Sequence, residues 1–217
     1  MTRIVHAFKI RDVSGRPDDD LPLEDVLGMY AAGWFPMDDD ESPDEPLPWY
    51  SPEERGVFDL DPEALAHTRR VVRRSLARPE AQEWRLVFDV AFAQTLAWCA
   101  RPRADGDGVW LTPRMVRLYA RLNAVGLCHT IELHDRDGEL IAGCVAVTIR
   151  RAAFLESMFH RVPHAGNVML YRTLELLHDR GALLCDIQMT TPHTERLGAR
   201  DISRWQYLAR LQEAVAD

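Results

Sequence analysis

The chain has 217 residues, of which 47% are apolar, and a formal net charge of −8. This size and composition suit one large domain or two unequal domains with a substantial core. The acidic charge argues against a general nucleic-acid coat, and no apolar run approaches the length of a membrane span. The N-terminus lacks the long apolar segment of a signal peptide, so we expect a cytoplasmic protein.

The chemistry-bearing residues exclude several kinds of site. The four cysteines lie far apart in apolar surroundings and form no cluster with metal-ligand spacing, so we expect buried free thiols and no metal. No G-x-G-x-x-G or P-loop motif is present, which argues against dinucleotide and nucleoside-triphosphate binding. The sequence also lacks the G-x-S-x-G motif that would indicate a nucleophilic serine.

The first 60 residues contain one predicted helix and a segment rich in prolines and acidic residues. The apolar spacing from Leu23 to Ala32 predicts a helix that ends at Gly33. Residues 34–52 contain many prolines and acidic residues, so we expect no regular structure there. The aromatic residues at both ends of this segment, Trp49 among them, are expected to pack on the body of the protein or to line a site.

A basic helix is predicted to begin near residue 61. Asp59 or Asp61 is expected to cap it, with Pro62 in its first turn. Its exposed side chains would form a broad basic face with no acid in the run, made by Arg69, Arg70, Arg73, Arg74 and Arg78. Such a run can be a solvated helix face, but it also suits contact with phosphates.

The rest of the chain predicts a mixed order of strands and helices. The expected helices are 90–99, 113–122, 165–180 and 201–214. The expected strands are 84–89, three strands between 129 and 159, and 183–188. Asp137 and Gly138 predict a hairpin turn between the first two of those three strands. This order is typical of an antiparallel meander that leads into a β-α-β unit.

Three polar side chains emerge from two predicted core strands. Glu156 lies among apolar residues in one strand, and Asp186 and Gln188 follow apolar residues in the next. Strand alternation places Asp186 and Gln188 on one face, and helix 165–180 is long enough for a crossover between parallel strands. A single carboxylate could cap a helix or pair with an arginine. Three such groups near the ends of core strands favour a functional site.

Several short motifs in this order resemble the leucyl/phenylalanyl-tRNA–protein transferase family. The resemblance extends from about residue 21 to residue 211. The motifs are G-x-F-P (33–36), W-x-S-P (49–52), G-x-W-x-T (108–112), H-T-I-E (129–132), L-I-A-G (140–143), E-S-M-F (156–159), D-x-Q (186–188), His193 and L-G-A (197–199).

The resemblance implies the fold and the activity. It implies an α/β (α+β) protein with an acetyltransferase-like (GNAT-like) mixed sheet flanked by helices, in residues 61–217, behind a small domain in residues 1–60. It implies transfer of leucine or phenylalanine, and also methionine, from aminoacyl-tRNA to proteins that begin with Arg or Lys, which marks them for degradation. Because the aminoacyl ester is already activated, no cofactor is expected. We also expect a monomer.

The resemblance also assigns the catalytic residues. Asp186 and Gln188 would orient and activate the acceptor amine, with Glu156 near the acceptor. Whether Asp186 acts as a base or as an anchor is left open. The remaining predicted positions would bind aminoacyl-tRNA: Trp49, Trp110, Ser157, Met158, Phe159, Arg69, Arg70, Arg73 and Arg74.

Different parts of the aminoacyl-tRNA would contact different residues of that set. Trp49 and Trp110 suit stacking on the terminal adenosine, with ordinary core packing as their alternative. Met158, taken to share a strand face with Glu156, suits an adaptable apolar pocket for the amino acid. The arginine face would contact the tRNA phosphates.

The chain departs from the family pattern at several positions. Leu155 stands where the family usually has Gly, and Asn167 where it usually has Lys. We therefore predict a divergent member. Two other functions remain open: an acyl-CoA-dependent N-acetyltransferase with the same fold, and an inactive module that binds tRNA or protein N-termini.

Overall fold

The computed structural model describes residues 8–10, 21–38, 46–101 and 110–216. The helices are α1 (Leu23–Ala31), α2 (Pro62–Leu76), α3 (Pro79–Glu83), α4 (Phe92–Cys99), α5 (Pro113–Ala124), α6 (Ala165–Asp179), α7 (Pro192–Arg196) and α8 (Arg204–Val215). The strands are β1 (Phe8–Ile10), β2 (Phe35–Pro36), β3 (Trp49–Ser51), β4 (Glu54–Phe58), β5 (Arg85–Phe88), β6 (Cys128–His134), β7 (Leu140–Ile149), β8 (Ala152–His160), β9 (Leu184–Asp186) and β10 (Ala199–Ser203). None of these helices is both long enough and apolar enough to cross a membrane.

A seven-stranded sheet forms the centre of the molecule, with strand order β10-β4-β9-β8-β7-β6-β5. Strands β8 and β9 are parallel and are joined through α6, as expected for a β-α-β crossover. The other neighbouring strands of this sheet are antiparallel. Strands β1, β3 and β2 form a separate small antiparallel sheet. The predicted mixed sheet flanked by helices is confirmed.

Helices cover both faces of the large sheet and create two cores. The first core contains buried residues of α1, α5 and α8, such as Tyr30, Tyr119 and Tyr207. The second core contains buried residues of α2 and α6, such as Val72 and Met169. Since strand residues alternate between faces, each central strand supplies side chains to both cores.

Local capping signals explain where several helices begin. The Asp61 carboxylate accepts hydrogen bonds from the backbone nitrogens of Glu63 (2.9 Å) and Ala64 (3.0 Å), and Pro62 occupies the first turn of α2. This arrangement satisfies backbone donors that the helix itself leaves free. The predicted cap at Asp61 is confirmed.

Two segments differ from the sequence-based prediction. Residues 34–52 were expected to be irregular, but β2 and β3 lie within them and pair with each other. Residues 199–203 pair with β4 over five positions, so α8 begins at Arg204 rather than at 201. In both places pairing with a distant strand outweighs the local pattern. The division at residue 60 stays a prediction, and β4, which precedes it, belongs to the large sheet.

Candidate active site

A β-bulge in β8 lies at Glu156, whose side chain faces the first core. In the pairing of β7 with β8, Val145 lies opposite Ser157 and Ala146 opposite Leu155, which leaves Glu156 as the extra residue. A bulge adds one residue to one strand and shifts the alternation of side chains beyond it. The Glu156 carboxylate lies on the same face as Phe154 and meets Tyr30 of α1, whose hydroxyl donates to Oε1 at 2.7 Å.

The end of β9 brings Asp186 and Gln188 beside Glu156. The Gln188 backbone nitrogen donates to Asp186 Oδ1 at 2.7 Å, and Gln188 has a φ of 59°, in the left-handed region that non-glycine residues seldom adopt. Backbone hydrogen bonds between Gly56 and residues 187 and 188 hold this turn. A Cβ at Gly56 would lie 2.7 Å from the Met189 carbonyl carbon, so only glycine allows this close approach.

The Asp186 carboxylate is enclosed by hydrogen-bond donors. Arg55 approaches it with two nitrogens, Nε at 3.0 Å from Oδ1 and Nη2 at 2.7 Å from Oδ2. The Tyr207 hydroxyl also donates to Oδ2, at 2.7 Å. Because every one of these partners is a donor, the hydrogen bonding suits an ionised carboxylate.

Burial dominates the electrostatics of Glu156. Removal from water raises the pKa of this carboxyl to about 8, the Tyr30 hydroxyl opposes the shift, and the charge of Asp186 adds to it. Burial also raises the pKa of Tyr30 well above its usual value, with Glu156 as the next cause. A carboxyl with a pKa near neutrality can both take up and release a proton under physiological conditions.

The Gln188 amide has two orientations with different partners. In one, Nε2 lies 3.3 Å from Glu156 Oε2. In the reversed orientation, Nε2 donates to the backbone oxygens of Leu155 (3.1 Å) and Ile187 (3.0 Å). The reversed orientation makes two hydrogen bonds and turns the amide oxygen toward Glu156, which suits a protonated carboxyl group.

The three residues that follow Glu156 do not share one surface. Ser157 faces the first core, and its buried Oγ has no hydrogen-bond partner in the part of the chain that the structure describes. Met158 packs against the second core. The prediction that it shares a face with Glu156 is therefore wrong. The reason is the bulge, which shifts the alternation of side chains after Glu156. Phe159 stacks on Trp98 with ring centroids 5.8 Å apart.

The two tryptophans predicted to stack on adenosine have different surroundings. Trp49 is only 4% exposed and meets the edge of Tyr30 at a centroid distance of 5.9 Å. Trp110 is half-buried at the edge of the first core, directly after residues outside the described part of the chain. Trp110 therefore offers more free ring surface than Trp49. Stacking on adenosine stays a prediction for both.

The basic face of α2 is exposed as predicted. Arg69, Arg70, Arg73 and Arg74 all point to solvent, while Val72 packs into the second core. Glu156 and Asp186 contact residues of the first core, on the other face of the sheet. The structure therefore brings the three predicted catalytic residues together but places the arginines on a different layer.

Sequence reasoning missed three residues that complete the site. Arg55, Tyr30 and Tyr207 contact the two carboxylates and come from β4, α1 and α8. No local pattern marks them as functional. An arginine in an otherwise apolar strand, R-G-V-F, was the one available signal, since a buried Arg requires an acidic partner.

This arrangement provides two carboxylates of unlike character beside one amide. Such a site can attract a cationic amine, orient it and take up its proton. Among residues 21–38, 46–101 and 110–216, no three His, Cys, Asp or Glu side chains come together as a metal-binding group.

Comparison with known proteins identifies close similarity to one family. The family model described as leucyl/phenylalanyl-tRNA protein transferase matches residues 60–212. The leucyl/phenylalanyl-tRNA–protein transferase of Anaeromyxobacter dehalogenans strain 2CP-C is 41% identical over 197 residues, covering 90% of this chain and 80% of that protein. The protein of the same name from Alkalilimnicola ehrlichii is 37% identical over 186 residues, covering 86% and 69%.

A solved structure shares the fold at much lower sequence identity. The crystal structure of FemX superposes with a TM-score of 0.52 and 12% identity, over 95% of this chain and 74% of FemX. At this identity the likeness concerns the fold alone.

Proposed function

We propose, because the chain belongs to the leucyl/phenylalanyl-tRNA–protein transferase family, that it moves leucine or phenylalanine from aminoacyl-tRNA to proteins that begin with Arg or Lys. Membership makes the chain an aminoacyltransferase. The proposal adds the acceptor class and its consequence, an N-terminal degradation signal. A monomeric state and a cytoplasmic location are part of the same proposal.

The observation that carries the proposal is the convergence of Glu156, Asp186 and Gln188. These residues come from two strands, and the Gln188 backbone and side chain link the two carboxylates. The aminoacyl ester needs no further activation, so an enzyme has only to place an amine against the ester carbonyl and accept its proton. Two carboxylates and an amide at one site meet those requirements.

The same residues suit a cationic acceptor. The α-amine of a protein is largely protonated below its ordinary pKa of about 8, and N-terminal Arg or Lys adds a second positive charge. When it is ionised, a carboxyl group that is only slightly exposed attracts such a group more strongly than one in water, because less solvent screens the interaction. Glu156 and Gln188 are each 8% exposed, whereas Asp186 is 0% exposed, so an incoming amine would meet Glu156 and Gln188 first.

The tRNA would contact more than one layer of the molecule. Its 3′ end would reach the carboxylates, with Trp110 as the proposed stacking surface for adenosine. Its phosphates would contact the arginine face of α2, across the sheet from the site. A substrate as large as tRNA can extend around the domain to reach both places.

The direct test is transfer of labelled leucine from Leu-tRNA to a peptide that begins with Arg. We expect labelled product with Arg- and Lys-starting peptides, and none with the same peptide acetylated at its α-amine. Phe-tRNA should also serve as the donor. Acetylation of the peptide by acetyl-CoA, without transfer from tRNA, would instead indicate the N-acetyltransferase. Binding of Leu-tRNA without transfer would indicate an inactive binding module.

A further inference from the structure

Arg55 is a buried residue of the site whose side chain is fixed by contacts with several elements. Its side chain is 1% exposed and lies between two aromatic rings, 4.5 Å from the Phe35 centroid and 4.6 Å from the Tyr207 centroid. Its Nη1 donates to the Gly33 carbonyl at 3.3 Å, while Nε and Nη2 reach Asp186. The guanidinium is therefore fixed in position and orientation by groups on four sides.

Asp186 has little capacity left for an incoming amine. Its oxygens accept from Arg55, from the Tyr207 hydroxyl and from the Gln188 backbone nitrogen. Its exposed fraction is 0%. A general base must come within hydrogen-bond reach of the proton that it removes. An amine could reach Asp186 only by displacing one of these donors.

Glu156 has the opposite properties. The charged and titratable groups around it are Tyr30 of α1, Tyr119 of α5, Arg55 of β4, Cys128 of β6, Cys144 of β7, Asp186 of β9 and Tyr207 of α8. Tyr30 donates to Oε1, and Oε2 lies 3.3 Å from the Gln188 amide nitrogen. The whole residue is 8% exposed, compared with 0% for Asp186. Burial also raises its pKa to about 8, close to the ordinary value of an α-amine.

We propose that Arg55 is a positioning residue that keeps Asp186 as an ionised support, and that Glu156 is the carboxylate that accepts the proton of the attacking amine. This inference rests on the proposed transfer function. It gives Asp186 and Glu156 different roles, although the sequence pattern does not distinguish between the two carboxylates. Asp186 orients the turn at Gln188, and Glu156 carries out the proton transfer.

The reaction balances without any further reactant. The lone pair of the neutral α-amine forms a bond to the carbonyl carbon of the aminoacyl ester. Glu156 takes one proton from the nitrogen of the resulting adduct. The bond between that carbon and the ribose oxygen then breaks, and Glu156 returns the proton to this oxygen. The products are the extended peptide and a tRNA with a free ribose hydroxyl.

The pH dependence of single-turnover transfer tests this assignment. The wild type needs two deprotonated groups, the substrate amine and Glu156, so the logarithm of its rate should rise below both pKa values with a slope of about two. Glu156→Gln should lower the rate at pH 7 by about 10²- to 10⁴-fold and reduce the slope to about one, since only the amine still titrates.

Variants of the Arg55–Asp186 pair provide the second measurement. Arg55→Met leaves a buried carboxylate unpaired, which is strongly destabilising. Arg55→Met/Asp186→Asn removes both charges, so it should fold better, transfer faster than Arg55→Met, and keep a slope of about two because Glu156 is still present. Arg200→Met serves as the matched control, because Arg200 pairs with Asp59 on the surface of β10. It should match the wild type in rate and slope.

Each contrary result identifies a specific error. A slope that stays at two in Glu156→Gln, or that drops to one in Arg55→Met/Asp186→Asn, would show that Asp186 accepts the proton. A wild-type slope of one, unchanged in Glu156→Gln, would show that only the amine titrates and would overturn the role of a titrating Glu156, while the transfer function itself would stand. No transfer by the wild type at any pH would overturn the proposed function and this inference with it.

Discussion

The guanidinium of Arg55 and the carboxylate of Asp186 face each other with an Nη2–Oδ2 distance of 2.7 Å, and both side chains are almost completely buried. Their positions in the chain are 131 residues apart. The match to the family model begins at residue 60, so Arg55 and Tyr30, which contact the two carboxylates, precede it. The segment before residue 60 therefore completes the site.

The raised pKa of Glu156 should make the free energy of unfolding depend on pH. Its pKa in the folded protein is about 8, compared with about 4.5 in an unfolded chain. Between these values the folded form holds a proton that the unfolded form has released, so stability falls as pH rises from about 4.5 to about 8. Glu156→Gln cannot lose this proton. We expect its free energy of unfolding, measured in urea, to increase relative to that of the wild type as pH rises across this window.

Glu213→Gln, at an exposed position on α8, is the control for the loss of a carboxylate. A difference between wild type and Glu156→Gln that stays constant with pH would show that Glu156 is ionised throughout the window.

Gly56 should be indispensable because of the turn at Gln188. The Cβ of an alanine would lie 2.7 Å from the Met189 carbonyl carbon and 2.8 Å from the Thr190 nitrogen, and backbone atoms cannot move aside easily. We expect Gly56→Ala to lower stability by about 1–3 kcal/mol, as overpacking does, and to lower the transfer rate by displacing Gln188.

Gly28→Ala is the matched control, since nothing lies within 4 Å of its Cβ position in α1. It should raise stability by about 0.5–1 kcal/mol and leave transfer unchanged. Equal behaviour of the two variants in urea unfolding and in transfer would mean that the turn tolerates movement.

Trp49 and Trp110 should respond differently to truncation. Trp49→Ala removes a buried ring and should cost about 3–5 kcal/mol of stability. Trp110→Ala should change stability less and weaken binding of an aminoacyl-adenosine analogue by about 1–3 kcal/mol, the contribution of one stacked base. Calorimetric titration of folded variants measures this. Normal binding by Trp110→Ala would assign the adenosine contact to another residue.

The arginine face of α2 should contribute to tRNA binding through salt-dependent contacts. Neutralising Arg69 and Arg73 to Gln should weaken Leu-tRNA binding and reduce the slope of log affinity against log salt by about one per lost phosphate contact. The same change at Arg85 and Arg136, which are also exposed but lie near β5, should leave the slope unchanged. An equal effect of both pairs would indicate general attraction rather than a defined contact.

The sequence alone determined the features that depend on neighbours a few residues away. The cap of α2 at Asp61 and the crossover between β8 and β9 follow from capping and from the length of the predicted helix between them. The strand predicted over 183–188 ends at Asp186, and a turn rather than strand alternation places Gln188 beside it. Motif order also identified the family, which the comparisons established independently.

The tertiary structure decided the features whose partners are distant in the chain. The bulge at Glu156, which places Met158 on the opposite face, depends on pairing with β7, and no local pattern encodes it. The pairing of Arg55 with Asp186 and the strand at 199–203 likewise arise from contacts across more than a hundred residues. Alternation and capping act over two to four residues, whereas burial and long-range pairing set the chemical character of each carboxylate.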